Sequence, residues 1–391
     1  MSSPVVIAGA KRTAIGSMLG QFTGVPTPTL GATAIKAALE QSGVSGGDVS
    51  EVIMGCVLPA NLGQAPARQA SLGAGIPKSV PCTTINKVCG SGMKAIMLGH
   101  DLIKAGSASV VVAGGMESMT NAPHMVAART GLRYGDAKLV DHMAWDGLTN
   151  PYDGQSMGVF AEATAEKHGF TREAQDAFSI ESVKRAQAAI ASGAFADEIV
   201  AVKVAGKKGD VEYATDEQPG KSDPAKVPTL KPAFRKDGTV TAASSSSISD
   251  GAAATILLSE DEANKRGIKP LARIVGHATQ AQEPEWFTTA PVGAIEQLLK
   301  KVNWKVEDVD LFEINEAFAV VAMTPIKVLG IPHAKVNVNG GATALGHPIG
   351  ASGARLVVTL IHALKKRGGK RGIASLCIGG GEATAIAVEI V

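Results

Sequence analysis

The sequence is poor in aromatic residues and in cysteine, and neither sign of charge is in large excess. Aromatic side chains make up 4% of the 391 residues, the net charge is +2, and the four cysteines are Cys56, Cys82, Cys89 and Cys377. These cysteines follow no zinc-site spacing, and a chain of this length needs no disulfide framework, so we interpret them as reduced thiols. The balanced charge argues against a nucleic-acid-binding protein.

Long hydrophobic runs are also missing. The apolar stretch at residues 5–10 is too short for the core of a signal peptide or for a membrane span. Residues 388–391 do not match a peroxisomal targeting signal. We therefore expect a cytoplasmic protein that does not bind membranes.

Glycine is abundant instead, with 45 residues, and hydrophobic residues make up 45% of the chain. Because large aromatic side chains are scarce, the core must be built from small aliphatic side chains on closely approaching backbones. That composition suits a layered α/β protein. The length predicts two or three packed units rather than one.

The first third of the chain alternates between strand and helix patterns. Apolar runs predict strands at residues 5–9, 51–56, 81–86 and 109–113, and helical periods predict helices at 29–42, 64–74 and 90–105. This alternation predicts a mainly parallel sheet with helices on both faces.

The middle of the chain, residues 119–248, is polar and punctuated by proline, with one clear helix at residues 172–192. Apolar residues at 177, 180, 183, 186 and 190 predict one buried face for this helix. We interpret the segment as an inserted loop domain that covers the site.

The last third repeats the first. Residues 304–313 resemble residues 44–53, and Ser352-Gly353 opens a predicted helix as Ser91-Gly92 does. A duplicated fold follows, and its site should lie between the halves near strand ends, where open α/β sheets bind ligands. The predicted divisions are residues 1–118, 119–248 and 249–391.

Three side chains beside glycines suggest the site. His347 lies in a stretch with five glycines, residues 339–353, ahead of a helix predicted from about residue 352 to 366. Cys89 stands at a helix start, which we expect to stabilise its thiolate, and Cys377 lies on a strand that runs into glycines. A lone histidine in a glycine-rich turn would be incidental, but two cysteines and one histidine together indicate one active centre.

Five motifs around these residues resemble the thiolase family, and the resemblance covers essentially the whole chain. The motifs are NKVCGSG at 86–92, GGMESM at 114–119, NEAF at 315–318, the glycine-rich stretch at 340–353, and CIGGG at 377–381. The resemblance implies an α/β protein with a duplicated five-layer α-β-α-β-α core and an inserted loop domain. The acetoacetyl-CoA thiolase branch of the family is the most similar.

The resemblance implies an acetyl-CoA C-acetyltransferase, which reversibly condenses two acetyl-CoA molecules to acetoacetyl-CoA and coenzyme A through an acyl-cysteine. Coenzyme A is then both substrate and product, and no cofactor or metal is expected. By the resemblance, Cys89 is the nucleophile and His347 accepts its proton and then bonds the thioester oxygen. Asn315 would hold a water in the same oxyanion hole, although alone it fits a structural turn better.

Cys377 and Gly379 complete the implied chemistry. Cys377 would be the general acid and base that removes a methyl proton from the second acetyl-CoA. The backbone amides of Cys89 and Gly379 would form a second oxyanion hole, and glycine at 379 would let that amide approach a ligand. From the residues alone, Cys377 equally fits a buried strand, and Glu316 either orients the water or begins the next helix.

The inserted segment is expected to bind coenzyme A. The resemblance puts Ser247 against the pantetheine, although a run of serines is ordinarily a flexible linker. A phosphate would be met by Lys221, or by Lys207 and Lys208. The residues expected to shape the acyl pocket are Ser156, Met157, Phe287 and Phe318.

Three positions depart from the family pattern, because Ser156, Thr343 and Glu382 stand where histidine, an aliphatic residue, and glutamine or methionine are common. The acyl-chain range is therefore open, and a degradative 3-ketoacyl-CoA thiolase with a broader range is the alternative. A thiolase-like binding protein would have no need of all four reactive side chains, and a decarboxylating condensing enzyme would lack the second catalytic cysteine. The resemblance also implies a homodimer or homotetramer.

Overall fold

The computed structural model describes residues 3–207 and 209–391. Within them the α-helices are α1 (Thr27–Ser42), α2 (Pro66–Gly73), α3 (Ser91–Lys104), α4 (Met157–His168), α5 (Arg172–Ala191), α6 (Glu217–Lys221), α7 (Glu260–Lys265), α8 (Ala290–Val302), α9 (Ala319–Leu329), α10 (Ala342–Leu345) and α11 (Ile349–Arg367). The strands of the same residues are β1 (Val5–Thr13), β2 (Gly16–Ser17), β3 (Glu51–Gly55), β4 (Cys82–Ile85), β5 (Val110–Ser118), β6 (His124–Met125), β7 (Val140–Asp141), β8 (Ile199–Val200), β9 (Val202–Val204), β10 (Val211–Tyr213), β11 (Ser249–Ser259), β12 (Ala272–Ala281), β13 (Leu311–Ile314), β14 (Arg371–Ile378) and β15 (Glu382–Ile390).

One large sheet runs through the molecule in the order β13-β14-β15-β12-β1-β11-β5-β3-β4. Among the described residues, the two halves of this sheet are joined where residues 5–7 of β1 pair with residues 272–274 of β12. Four strands of each half share one pattern, a parallel pair followed by two antiparallel pairs, as β3–β5–β11–β1 in one half and β13–β14–β15–β12 in the other. The first half adds β4, which pairs parallel with β3. This matching pattern agrees with the duplication expected from the sequence.

The sheet is mixed, so the prediction of a mainly parallel sheet is wrong. Strands that are connected through a helix do pair in parallel, as β3 does with β4 and with β5. However, β1 and β12 pair antiparallel with strands that are distant in the sequence, and no local pattern reports such pairing.

Helices form three layers around the two half-sheets, which confirms the α/β class and the five-layer core. α1 and α2 pack on the outer face of one half, and α8 and α9 pack on the outer face of the other. α3 and α11 lie in the middle, where Met93, Ile96, Leu356 and Leu360 are fully or almost fully buried in one core.

The repeated Ser-Gly pairs are where the two central helices cross. A Cβ on Gly353 would lie 2.5 Å from the backbone nitrogen of Met93, and a Cβ on Gly92 would lie 2.8 Å from that of Ala354. Any larger side chain would therefore force α3 and α11 apart.

Two helices differ from their predictions. In α5, Val183 and Ala186 are buried as expected, but Ala177 is exposed and polar residues such as Gln175 are buried instead. Gln175 can be buried because its amide donates to the hydroxyl of Thr239 at 2.9 Å. α11 begins at Ile349, three residues earlier than predicted, because Pro348 already has an extended backbone and serves as its N-cap.

Candidate active site

A cavity of about 250 Å³ lies between the ends of β14, α3 and α11 and is closed by the middle segment. Its lining is mostly apolar, and it brings together most of the side chains that the sequence suggested. The suggested residues that line it are Cys89, Ser156, Met157, Ser247, Phe287, Phe318, His347, Cys377 and Gly379.

Cys89 lies in a tight turn between β4 and α3, one residue before the helix cap Gly90. Val88 before it has a φ of 45°, which is unusual and strained for a β-branched residue. Two side chains hold this backbone, because Asn86 accepts from the Val88 amide at 2.8 Å and Ser91 accepts from the Lys87 amide at 2.8 Å. The turn thus presents the thiol to the cavity.

The Cys89 thiol is protonated at rest. Burial in the cavity raises its pKa to about 11, and the backbone amides of Gly379 and of Cys89 itself, which donate to the sulfur, offset this only in part. These amides stabilise the thiolate as expected for a helix start, but the loss of water raises the pKa by more. A base must take the proton when the thiol reacts.

His347 is suited to be that base. Its Nδ1 lies 2.6 Å from the Ser352 hydroxyl, whose own hydrogen is donated to the Pro348 carbonyl at 2.9 Å. Because the hydroxyl hydrogen is used in this way, we assign the ring hydrogen to Nδ1, which leaves Nε2 as the nitrogen that accepts a hydrogen. Burial, together with the positive charge of Arg355, lowers the pKa of His347 to about 3, so the ring is neutral.

The backbone around His347 explains one glycine of the motif. The His347 amide donates to the Ser247 carbonyl and to the Ser249 hydroxyl, both at 3.2 Å. Gly346 before it has a φ of 109°, and a Cβ there would lie 2.2 Å from the Ser249 oxygen. Only glycine allows this approach.

Asn315 follows β13 and is fully buried behind His347. Its Nδ2 lies 3.4 Å from Nε2 of His347, and its backbone amide donates to Ser375. Within the described part of the chain its Oδ1 has no hydrogen-bond partner although it is buried. A buried amide oxygen of this kind calls for a water or a ligand.

Cys377 is the penultimate residue of β14 and is fully buried. Burial, and in second place the neighbouring Cys89, raise the pKa of its thiol well above the ordinary range. Gly380 and Gly381 then turn the chain with φ near 90°. Gly379 itself needs no special backbone, because a Cβ there would only touch Val88 and Met157 at ordinary distances.

Glu316 does not begin the next helix, which was one of the two roles expected from the sequence. α9 begins three residues later, at Ala319. The buried carboxylate accepts from Ser182 at 2.8 Å, from Asn337 at 2.7 Å and from the Thr343 hydroxyl at 2.6 Å. It therefore fastens the glycine-rich loop ahead of His347 to α5, and the unusual Thr343 supplies one of the bonds.

Glu117 and Ser352 are functional candidates that sequence reasoning missed, although both lie in or beside motifs it found. Glu117 is buried and accepts from the amides of Val57 and Gly350, each at 2.9 Å. It thus joins the segment after β3 to the N-terminus of α11. Burial raises the pKa of this carboxyl to about 7.

The suggested phosphate contacts do not meet the cavity. Lys221 is not among its lining residues, and its ammonium pairs with Glu217 at 2.6 Å. Lys207 is exposed between β9 and β10, and Lys208 lies outside the described residues. Of the remaining unusual positions, Ser156 caps α4 through the Gly158 amide at 3.4 Å, and Glu382 pairs with Lys87 beside Cys89.

Comparison with known proteins gives the class. The model of the thiolase N-terminal domain matches residues 5–261, and that of the thiolase C-terminal domain matches residues 268–390. The chain therefore belongs to the thiolase family, whose members are acyltransferases.

Particular relatives are similar over their whole length. The acetyl-CoA acetyltransferase of Chromobacterium violaceum is 53% identical over 388 residues, which cover 98% of this chain and 99% of that protein. The acetyl-CoA acetyltransferase of Cupriavidus necator is 51% identical, with 98% and 99% covered.

Solved structures agree. A crystal structure of the Acat5 thiolase from Ascaris suum in complex with coenzyme A superposes with a TM-score of 0.95 at 45% identity, covering 99% of this chain and all of that one. The Bacillus anthracis acetyl-CoA acetyltransferase superposes with a TM-score of 0.97 at 41% identity, covering 100% and 99%.

Proposed function

We propose that the protein is an acetyl-CoA C-acetyltransferase, which condenses two acetyl-CoA molecules to acetoacetyl-CoA and coenzyme A and catalyses the reverse thiolysis. The relatives of this name support the activity. The observation that carries the assignment in the structure is the meeting of two thiols, the half-buried Cys89 and the buried Cys377, with a neutral imidazole in one small cavity. A hydrolase or simple acyl carrier would need only one thiol.

In the first half of the reaction, Cys89 attacks the thioester of acetyl-CoA and its proton passes to Nε2 of His347. The thioester oxygen becomes negatively charged in this step. The backbone amides of Cys89 and Gly379, which already donate to the Cys89 sulfur, are placed to stabilise that oxyanion. Coenzyme A leaves as a thiolate and takes the proton of Cys377. The acetyl group is now on Cys89, with Cys377 as thiolate and His347 as imidazolium.

In the second half, the Cys377 thiolate removes a methyl proton from the second acetyl-CoA. The enolate oxygen is stabilised by His347 and by a water on Asn315, whose buried oxygen without a protein partner supports this role. The enolate carbon attacks the acetyl group, Cys89 leaves, and the imidazolium returns its proton. All three side chains regain their starting protonation.

Short acyl chains suit this cavity. Met157, Phe287 and Phe318 line it, and Phe287 and Phe318 are packed in the same core cluster as Cys377, so there is little room to extend a chain. We propose Ser247 and Ser156 as substrate contacts at the same cavity. Coenzyme A is a substrate here, and the chemistry proposed needs no cofactor or metal at the site.

We also propose a homodimer or homotetramer and the division of the chain at residues 118 and 248. An assembly is supported by β4, which ends the large sheet and whose outer edge pairs with no other strand of the described residues, so it could pair with another chain.

Thiolysis at saturating coenzyme A tests the proposal, with acetoacetyl-CoA compared against 3-ketoacyl-CoAs of increasing length. We expect the four-carbon substrate to give by far the highest kcat/KM, and Cys89→Ala to be inactive. Equal or better turnover of longer chains would favour the degradative alternative. Lack of turnover by the intact protein with every substrate would reject both.

A further inference from the structure

We propose that His100, Asp101 and His277 form a binding site for one transition-metal cation of the zinc type, which clips the two halves of the core together. The three residues offer one ligand atom each, and these atoms all lie within 4.8 Å of one another. The site is separate from the chemistry described above.

The positions of the ligand atoms fit a metal. Oδ1 of Asp101 lies 2.9 Å from Nδ1 of His100 and 2.9 Å from Nε2 of His277. Ligands bound at about 2.0–2.1 Å to one zinc ion lie about 3.4 Å apart in a tetrahedron, so small side-chain movements would suffice. The imidazole rings already stand edge to face with centroids 5.1 Å apart.

The exposure of the ligands also favours binding. Both imidazole side chains are nearly buried, whereas 53% of the Asp101 side chain is exposed. Asp101 leaves an open approach for the ion and for water as the remaining ligand.

The charges around the site select the kind of cation. Lys104, Arg273 and Lys301 line the same hollow, and Arg273 is paired with Glu260. The ligand set has two imidazole nitrogens and one carboxylate, so it lacks the several oxygen ligands on which Mg²⁺ and Ca²⁺ depend. Zn²⁺, Co²⁺, Ni²⁺ and Cu²⁺ bond neutral imidazole well and tolerate this setting at reduced affinity.

The location suggests a structural role. His100 lies near the end of α3, nine residues beyond the start of the helix and about 14 Å from it. His277 lies on β12 just beyond the residues that pair with β1, where the two half-sheets separate. A shared ion would therefore join the two halves where the sheet no longer does, far from Cys89.

Cobalt titration of the full protein tests the site, since Co²⁺ bound by nitrogen and oxygen lacks the sulfur charge-transfer band that thiol binding would give. The parent chain carries Cys89→Ser to remove the reactive thiol. We expect the parent to bind one Co²⁺ per chain and to show no sulfur charge-transfer band. Asp101→Asn and His277→Gln should each weaken the affinity for Co²⁺ at least tenfold. His124→Gln, which alters an exposed histidine elsewhere, should leave binding unchanged.

A thermal measurement gives an independent readout. Zn²⁺ should raise the Tm of the parent and of His124→Gln but not of Asp101→Asn, because only a folded site binds the ion. Asp101 is mainly exposed, so its variant should fold even if His277→Gln does not. Equal cobalt binding by the parent and Asp101→Asn, or no binding by the parent, would overturn the proposal.

Discussion

At the scale of single residues, the reactive groups depend on neighbours that do no chemistry. Ser352 fixes the tautomer of His347, and Arg355 helps to keep its ring neutral. Glu117 holds the amide of Gly350 at the start of the helix that carries Ser352. Reactivity here is set by position and charge more than by the intrinsic acidity of the thiols.

Replacing Ser352 by alanine should lower kcat about 10- to 100-fold while KM changes little, because the imidazole loses the bond that orients it. Steady-state kinetics measure this. Ser179→Ala is the matched control, since the Ser179 hydroxyl donates to the carbonyl four residues earlier, also at 2.9 Å, and has no hydrogen bond to a histidine among the described residues. Equal losses in both variants would mean that Ser352 only supports its helix.

The stability of the protein should depend on the ionisation of Glu117. Its pKa is raised to about 7 in the folded state, so the folded state binds the proton more tightly than the unfolded state. This contribution is complete below about pH 4.5 and falls by roughly 3 kcal/mol as the pH rises through 7.

Urea unfolding from pH 5 to pH 8 measures this dependence. Glu117→Gln cannot ionise, so its free energy of unfolding should fall less steeply over this range, whatever its absolute level. Parallel curves for the parent and the variant would show that Glu117 does not titrate there. Other buried carboxyls, such as Glu313, contribute to both curves alike.

At the scale of elements, the crossing of α3 and α11 holds the two halves together. Gly92 and Gly353 allow the helices to touch at backbone distance, and both helices begin close to the catalytic cavity. An error in this crossing would therefore shift Cys89 relative to His347.

Gly353→Ala should lower the free energy of unfolding by about 1–3 kcal/mol, because the new Cβ would lie 2.5 Å from the backbone of Met93. Chemical denaturation measures the change. The control is Gly220→Ala in the short helix α6, where the added Cβ would have no atom within 4 Å. This substitution should be neutral or slightly stabilising. A neutral Gly353→Ala would mean that the helices separate at little cost.

At the scale of the whole molecule, the proposed active centre draws on both half-sheets. Cys89 lies between β4 and α3, whereas Asn315 follows β13, His347 precedes α11 and Cys377 lies on β14. The duplication visible in the sequence explains why two similar helix starts face each other across one cavity.

The sequence alone was enough to suggest those site residues that are marked by their immediate neighbours in the chain. Cys89, His347 and Cys377 stand beside glycines, which can be read directly. Glu117 could not be assigned, because Gly350, to which it bonds, is 233 residues away. The buried polar face of α5 was hidden for the same reason, since Gln175 finds its partner 64 residues along the chain.

The central claim is that the two thiols divide the work, and Cys377→Ala tests it most directly. With acetyl-CoA in D₂O, mass spectrometry should find the acetyl group on Cys89 of this variant. Condensation, and exchange of the methyl hydrogens, should fall 10²- to 10⁴-fold, the range expected for loss of a general base. Methyl exchange and acetoacetyl-CoA formation at the rate of the parent would contradict the account.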